Sequence, residues 1–147
     1  MGLSKTFGTN EELEVTGIVL DYGEARIRIA RAGGNNKKFA KALTVASKPY
    51  RRAIATETMD NEVANAIMRS VYASTVVLDW ETKVDGEFQK GIDPVDAGQK
   101  AGKLLPFSKD NVEAVFRHLP ELFTDIQNQA QSIALFRNEV DSQLAGK

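Results

Sequence analysis

No cysteine occurs in this 147-residue chain. Its absence excludes a disulfide framework, a thiolate nucleophile and any cysteine-based zinc centre. Histidine is almost missing too. His118 stands alone, with no second imidazole or thiol to complete a metal site or a nucleophile–base pair. No window approaches the roughly 18 consecutive apolar residues of a membrane span. The stretch from Met1 to Glu12 lacks the basic segment and apolar run of a secretory signal. There is no internal repeat and no low-complexity tract, which sets aside solenoids and fibres. The remaining composition, 42% hydrophobic and 27% charged, is that of a globular protein long enough for one domain with a single core.

Acids are also missing from one long stretch. From Ala25 to Thr56 there are nine basic residues and no acidic one: Arg26, Arg28, Arg31, Lys37, Lys38, Lys41, Lys48, Arg51 and Arg52. Residues 57–147 hold fifteen acids against nine bases, so the net charge of −1 hides two opposed blocks. Such blocks either bind each other or steer a charged partner to one face.

The patterning predicts an α+β fold, mainly α, with an N-terminal β-hairpin packed on a bundle of four or five helices. Residues 1–12 read as a flexible arm and residues 1–147 as a single domain. Leu13 to Leu20 reads as a strand interrupted by Gly17, and Asp21-Tyr22-Gly23-Glu24 as a turn. Ala25 to Ala30 alternates, with Ala25, Ile27 and Ile29 inward and Arg26 and Arg28 outward. Gly33-Gly34-Asn35-Asn36 breaks the chain and offers an N-cap. Phe39, Ala42, Leu43 and Ala46 then form one helix face, with Lys37, Lys38, Lys41 and Lys48 mostly off it. Pro49 ends that helix and opens a short one through Tyr50 and Ile54. Asp60 caps a longer helix carrying Val63, Ile67, Val71, Thr75 and Leu78, expected to finish between Leu78 and Trp80. Residues 82–103 read as a long loop with a turn at Asp85-Gly86. Ser108 caps a helix bearing Val112, Val115, Phe116 and Leu119. Pro120 starts a C-terminal helix over residues 120–144, with a seam at Phe123, Ile126, Ala130, Ile133, Val140 and Leu144 broken by Arg137.

No constellation for catalysis emerges. Asp79 and Glu81 flank Trp80, and Asp93 and Asp96 flank Pro94-Val95, without a nucleophile or oxyanion donor beside them. The run Arg31 to Lys38 has glycines before a basic helix, but no Gly-Lys-Ser/Thr closes it as a phosphate loop. No catalytic residue, metal or cofactor is therefore expected. Phe39, Leu43, Trp80, Phe107, Phe116 and Phe123 are assigned to structural anchoring. A basic face of Arg26, Arg28, Arg31, Lys37, Lys38, Lys41, Arg51 and Arg52 is the candidate partner-binding surface. Val140 and Leu144 are the candidate contact to a partner or to a second copy. Nucleic acid is the alternative ligand for the basic block, with Tyr50 among Arg51 and Arg52, although a sequence pI near 5.9 argues against a dedicated binder.

Several stretches carry a resemblance. They are Arg31-Ala32-Gly33-Gly34-Asn35, Phe39-Ala40-Lys41-Ala42-Leu43, Pro49-Tyr50-Arg51-Arg52 and Val76-Val77-Leu78-Asp79-Trp80. Leu105-Pro106-Phe107-Ser108-Lys109-Asp110-Asn111-Val112 and Leu119-Pro120-Glu121-Leu122-Phe123 complete the set. Together, and in this order, they resemble the phage tail assembly chaperones, over most of residues 15 to 140. The link from Trp80 to Pro106 is longer than is usual in that family. The resemblance implies a non-enzymatic protein of the host cytoplasm that binds the tape-measure protein or tail-tube subunits during tail assembly. A subunit kept in the virion tail or neck and a nucleic-acid-binding regulator using residues 25–56 are the competing expectations. Neither expectation involves a membrane.

Overall fold

A computed structural model describes residues 2–137. The chain is α+β and mainly helical, with one four-stranded antiparallel sheet in the order β1-β2-β3-β4. Two short helices, α1 (Leu3–Phe7) and α2 (Glu11–Thr16), precede β1 (Ile18–Asp21) and β2 (Ala25–Ile29). Helix α3 (Lys37–Ser47) runs through a 3₁₀ turn at Lys48–Tyr50 into α4 (Arg51–Ala55), and α5 (Asn61–Thr75) follows. Strands β3 (Val77–Val84) and β4 (Glu87–Lys90) come next. A 3₁₀ turn at Pro94–Ala97, α6 (Lys109–His118), α7 (Pro120–Ala130) and a last 3₁₀ turn at Ile133–Phe136 complete the order.

The β1–β2 hairpin forms where alternation predicts it, in the register Ile18↔Ile29 to Asp21↔Arg26. Its start differs from the expectation. Residues 11–16 are helix, not strand, because the Asn10 side chain accepts from the Leu13 N–H at 3.0 Å and caps a first turn rich in glutamate. Gly17 ends that helix, and β1 is left with four residues.

Helix α5 also stops earlier than its apolar spacing suggests. The β-branched run Thr75-Val76-Val77 breaks it. The Val76 carbonyl accepts from the Ala30 N–H at 2.7 Å, and Val77 opens β3 beside Ile29. Trp80 is therefore a strand residue opposite Ile27, not a helix end, and it is buried. The segment expected as a long loop holds the end of β3, β4 and a 3₁₀ turn, and its irregular part is confined mainly to residues 98–103. β3 turns at Asp85-Gly86, with φ of 51° and 84°, into β4, and Ile92 then exchanges two backbone hydrogen bonds with Leu105 at 3.0 and 2.8 Å. Helix α6 starts as expected, Ser108 Oγ accepting from the Asn111 N–H at 3.2 Å. Helix α7 ends at Ala130 rather than continuing to 144, and Val140 and Leu144 lie outside the described residues.

One face of the sheet meets the helices around Tyr72. Phe39 and Phe123 each meet its ring edge-on at 5.5 Å, Phe116 stacks on Phe123 at 4.5 Å, and Gln131 donates to its hydroxyl at 3.3 Å. Ile27, Ile29, Val76, Val77, Val112, Val115 and Ile126 fill the space between. Phe107 meets Trp80 edge-on at 5.6 Å but is 37% exposed, so it covers the core from outside. Leu43 is only half-buried.

Candidate interaction surface

The basic block does not form one face. The fold divides it three ways: two parts meet acids of the same chain, and the third meets none among the described residues.

Arg26 and Arg28 alternate onto the outer face of β2, where antiparallel pairing brings acids opposite them. Arg26 pairs with Glu81 and Arg28 with Asp79 across the ladder. The Arg26 guanidinium lies 3.6 Å from Glu81, 3.7 Å from Asp21 and 3.7 Å above the Phe88 ring. Arg28 donates to the Gly17 carbonyl at 3.3 Å, and Lys90 pairs with Asp79. Burial alone would raise the Asp79 carboxyl. The hydrogen bonds from Lys90 and the Trp80 N–H, with the nearby Lys90 and Arg28 charges, outweigh burial and hold it below the ordinary aspartate value. This face is thus a mixed-charge lattice rather than a cationic one.

Arg31 is taken out of the basic face altogether. It turns inward to the fully buried carboxylate of Glu14, which also accepts from the side chain and backbone N–H of Asn35. Burial pushes the Glu14 carboxyl up, but the hydrogen bonds from Arg31, Asn35 and Thr9 prevail and leave it below the usual glutamate range. Gly34 sits against this pair with φ of 54°. A Cβ there would lie 2.6 Å from Arg31 Nη1 and 2.7 Å from Glu14 Oε1. Asn36 holds the N-cap position of α3 but does not cap it. Its buried amide donates instead to the Arg31 and Thr75 carbonyls at 2.8 and 3.0 Å. The glycine-containing run thus serves as a structural clamp joining α2, β2 and α5.

The third part is α3 with α4. Helix α3 contains no buried residue although one face is apolar, and Val45, Tyr50 and Ile54 are exposed. A groove of about 400 Å³ runs between α3 and α5, floored by Ala42, Val45, Ala46 and Val71. Lys38, Lys41 and Lys109 edge it, with Ser70 and Ser74 on the α5 side. A second concavity of about 190 Å³ lies on the other flank of α3, between Thr44, Ser47, Lys48, Arg51 and Ile54. Lys37 and Arg52 are exposed at the two ends of the α3–α4 segment. Among the described residues Lys38, Lys41, Lys48 and Lys109 make no ion pair, in contrast to Arg26 and Arg31. The sequence reading gives Lys109, Val45 and Ile54 no binding role. Lys109 reaches the groove only because α6 packs on α5, whereas Val45 was visible as an apolar residue among lysines.

The acids flanking Pro94 are accounted for locally. Asp93 caps the 3₁₀ turn on the Val95 N–H at 3.0 Å. The Asp96 carboxyl is pushed up by burial and by the Asp93 charge, against the opposing pull of His118. Among the described residues no group of three or more His, Cys, Asp or Glu is placed to hold a metal ion. Among them, too, no helix is long and apolar enough to cross a membrane.

A family model described as YdaY prophage protein matches residues 34–147, which includes α3, the groove and everything C-terminal to it. No curated protein and no solved structure matches the chain.

Proposed function

The chain belongs to the YdaY prophage protein family, and from that premise we propose that it is a non-enzymatic phage morphogenesis protein. In this reading it binds tape-measure or tail-tube protein in the host cytoplasm while the tail assembles. The phage origin rests on the family, and the tail role rests on the resemblance to tail assembly chaperones. The single observation that carries a binding role is the α3–α4 face. It is an apolar groove edged by lysines that make no ion pair among the described residues, whereas Arg26, Arg31, Arg69 and Lys90 each have a carboxylate partner. An exposed apolar patch with a charged border suits recognition of another protein, the apolar floor giving affinity and the lysines the encounter rate. Nothing in the reading requires bond-making chemistry; Asp79 and Glu81 are ion-paired and Asp93 caps a turn.

The test is capture of tagged protein from induced or infected cells, with mass spectrometry of the eluate and of purified particles. Tape-measure or tail-tube protein in the eluate, lost with Lys38→Glu/Lys41→Glu and with the chain missing from particles, supports the reading. Stoichiometric presence in particles replaces it with a virion subunit. Salt-sensitive retention on DNA, weakened alike for every sequence by Arg51→Ala/Arg52→Ala, replaces it with nucleic-acid binding.

A further inference from the structure

We propose that, before a partner arrives, the α3–α5 groove is occupied by the N-terminal arm of a second copy of this chain. The inference rests on the groove being a binding site, and it names the regulation of that site. Among the described residues, two exposed apolar patches have borders of opposite charge. On the groove side, Val45 and Val71 are apolar and the edging charges are Lys38, Lys41 and Lys109. On the arm, Leu3 and Phe7 are 76% and 61% exposed and lie four residues apart, on the same side of α1. Val15 and the Glu11 and Glu12 carboxylates are exposed on α2 just behind them. The first 24 residues hold five acids against one base, the reverse of the block that follows.

The base of the arm is fixed. Glu14 is tied to Arg31 and Asn35, and the Asn10 N–H donates to the Phe136 carbonyl at 2.7 Å. The outer side of α2 and the Leu3 and Phe7 side of α1 are thereby presented outward. Donor and acceptor patches are different surfaces of one molecule, so each copy can both give an arm and receive one. A partner with an acidic, apolar segment would displace the arm, so self-association and capture compete for one groove.

The experiment is sedimentation equilibrium of the full chain over a range of concentration and salt, with circular dichroism confirming the fold of each variant. Wild type is expected to self-associate at low salt and to dissociate at about 1 M, where the Debye length is about 3 Å. Lys38→Glu/Lys41→Glu and Glu11→Lys/Glu12→Lys should each weaken association about tenfold or more. Mixing the two variants, or combining all four changes in one chain, should restore it. A wild type that stays monomeric at low salt overturns the inference, as does association that neither reversal weakens. Partner capture separates the two readings, because Glu11→Lys/Glu12→Lys leaves the groove intact. A monomer that still captures tail protein defeats only the self-association, and an oligomer that captures none defeats only the tail role.

Discussion

Glu14 is the residue whose chemistry the surrounding sequence conceals most. It lies in a run of exposed acids, yet its carboxylate is fully buried and holds Arg31 and the Asn35 amide. Removing one member of a buried pair strands the other charge. Glu14→Ala should therefore cost about 3 kcal/mol in urea unfolding. The pH dependence has a definite sign. The folded carboxyl is more acidic than the ordinary glutamate value of 4.5, so the unfolded chain binds more protons between the two values. The stabilisation is complete above 4.5 and is lost as pH falls through the lower folded value. Asp79, also held low, acts in the same direction. Glu14→Gln should accordingly flatten the acid limb of stability against pH without abolishing it. Gly34→Ala tests the same clamp from the backbone. At φ of 54°, with Arg31 and Glu14 in the way, it should destabilise by about 2 kcal/mol in the same assay.

Helices α3 and α4 behave differently from the rest, because apart from Phe39, which meets Tyr72, they bring no side chain into the core cluster. Val45→Ser/Ile54→Ser removes apolar surface at two exposed positions, so unfolding free energy should move by no more than about 0.5 kcal/mol. The same variant should lose most of the tail-protein capture, measured side by side with wild type. Strand β3 is the opposite case, central in the sheet and bonded on both sides. Its β-branched and aromatic residues were legible as apolar but not as strand. Val71, Thr75 and Leu78 continue a helical spacing, while Val77 and Trp80 are what the core receives. Pairing with β2 decided between the two periods, and that pairing spans about fifty residues of sequence.

Across the whole molecule, a single cluster links the sheet face to α5, α6 and α7 through Tyr72, Trp80 and Phe123. Trp80 is 2% exposed and lies within that cluster. Its fluorescence should shift to longer wavelength on unfolding, with a midpoint that coincides with loss of far-UV circular dichroism. Separated midpoints would show that the sheet and the helices unfold as independent units.

The sequence by itself determined the features whose cause is local. The β1–β2 hairpin follows from strict alternation and four turn residues, α3 from its lysine-flanked apolar face, and α6 from the Ser108 cap. It also located the cation-rich stretch and the asymmetry of charge. Tertiary structure alone decided what those charges do. The sheet register set acids against Arg26 and Arg28, a buried glutamate drew Arg31 inward, and Lys109 joined α3 from the far end of the chain. The physical reason is the range of the interactions involved. Caps, turns and alternation act over a few residues and are written in order. Ladder pairing, ion-pair burial and groove formation depend on residues brought together only when the helices cover the sheet.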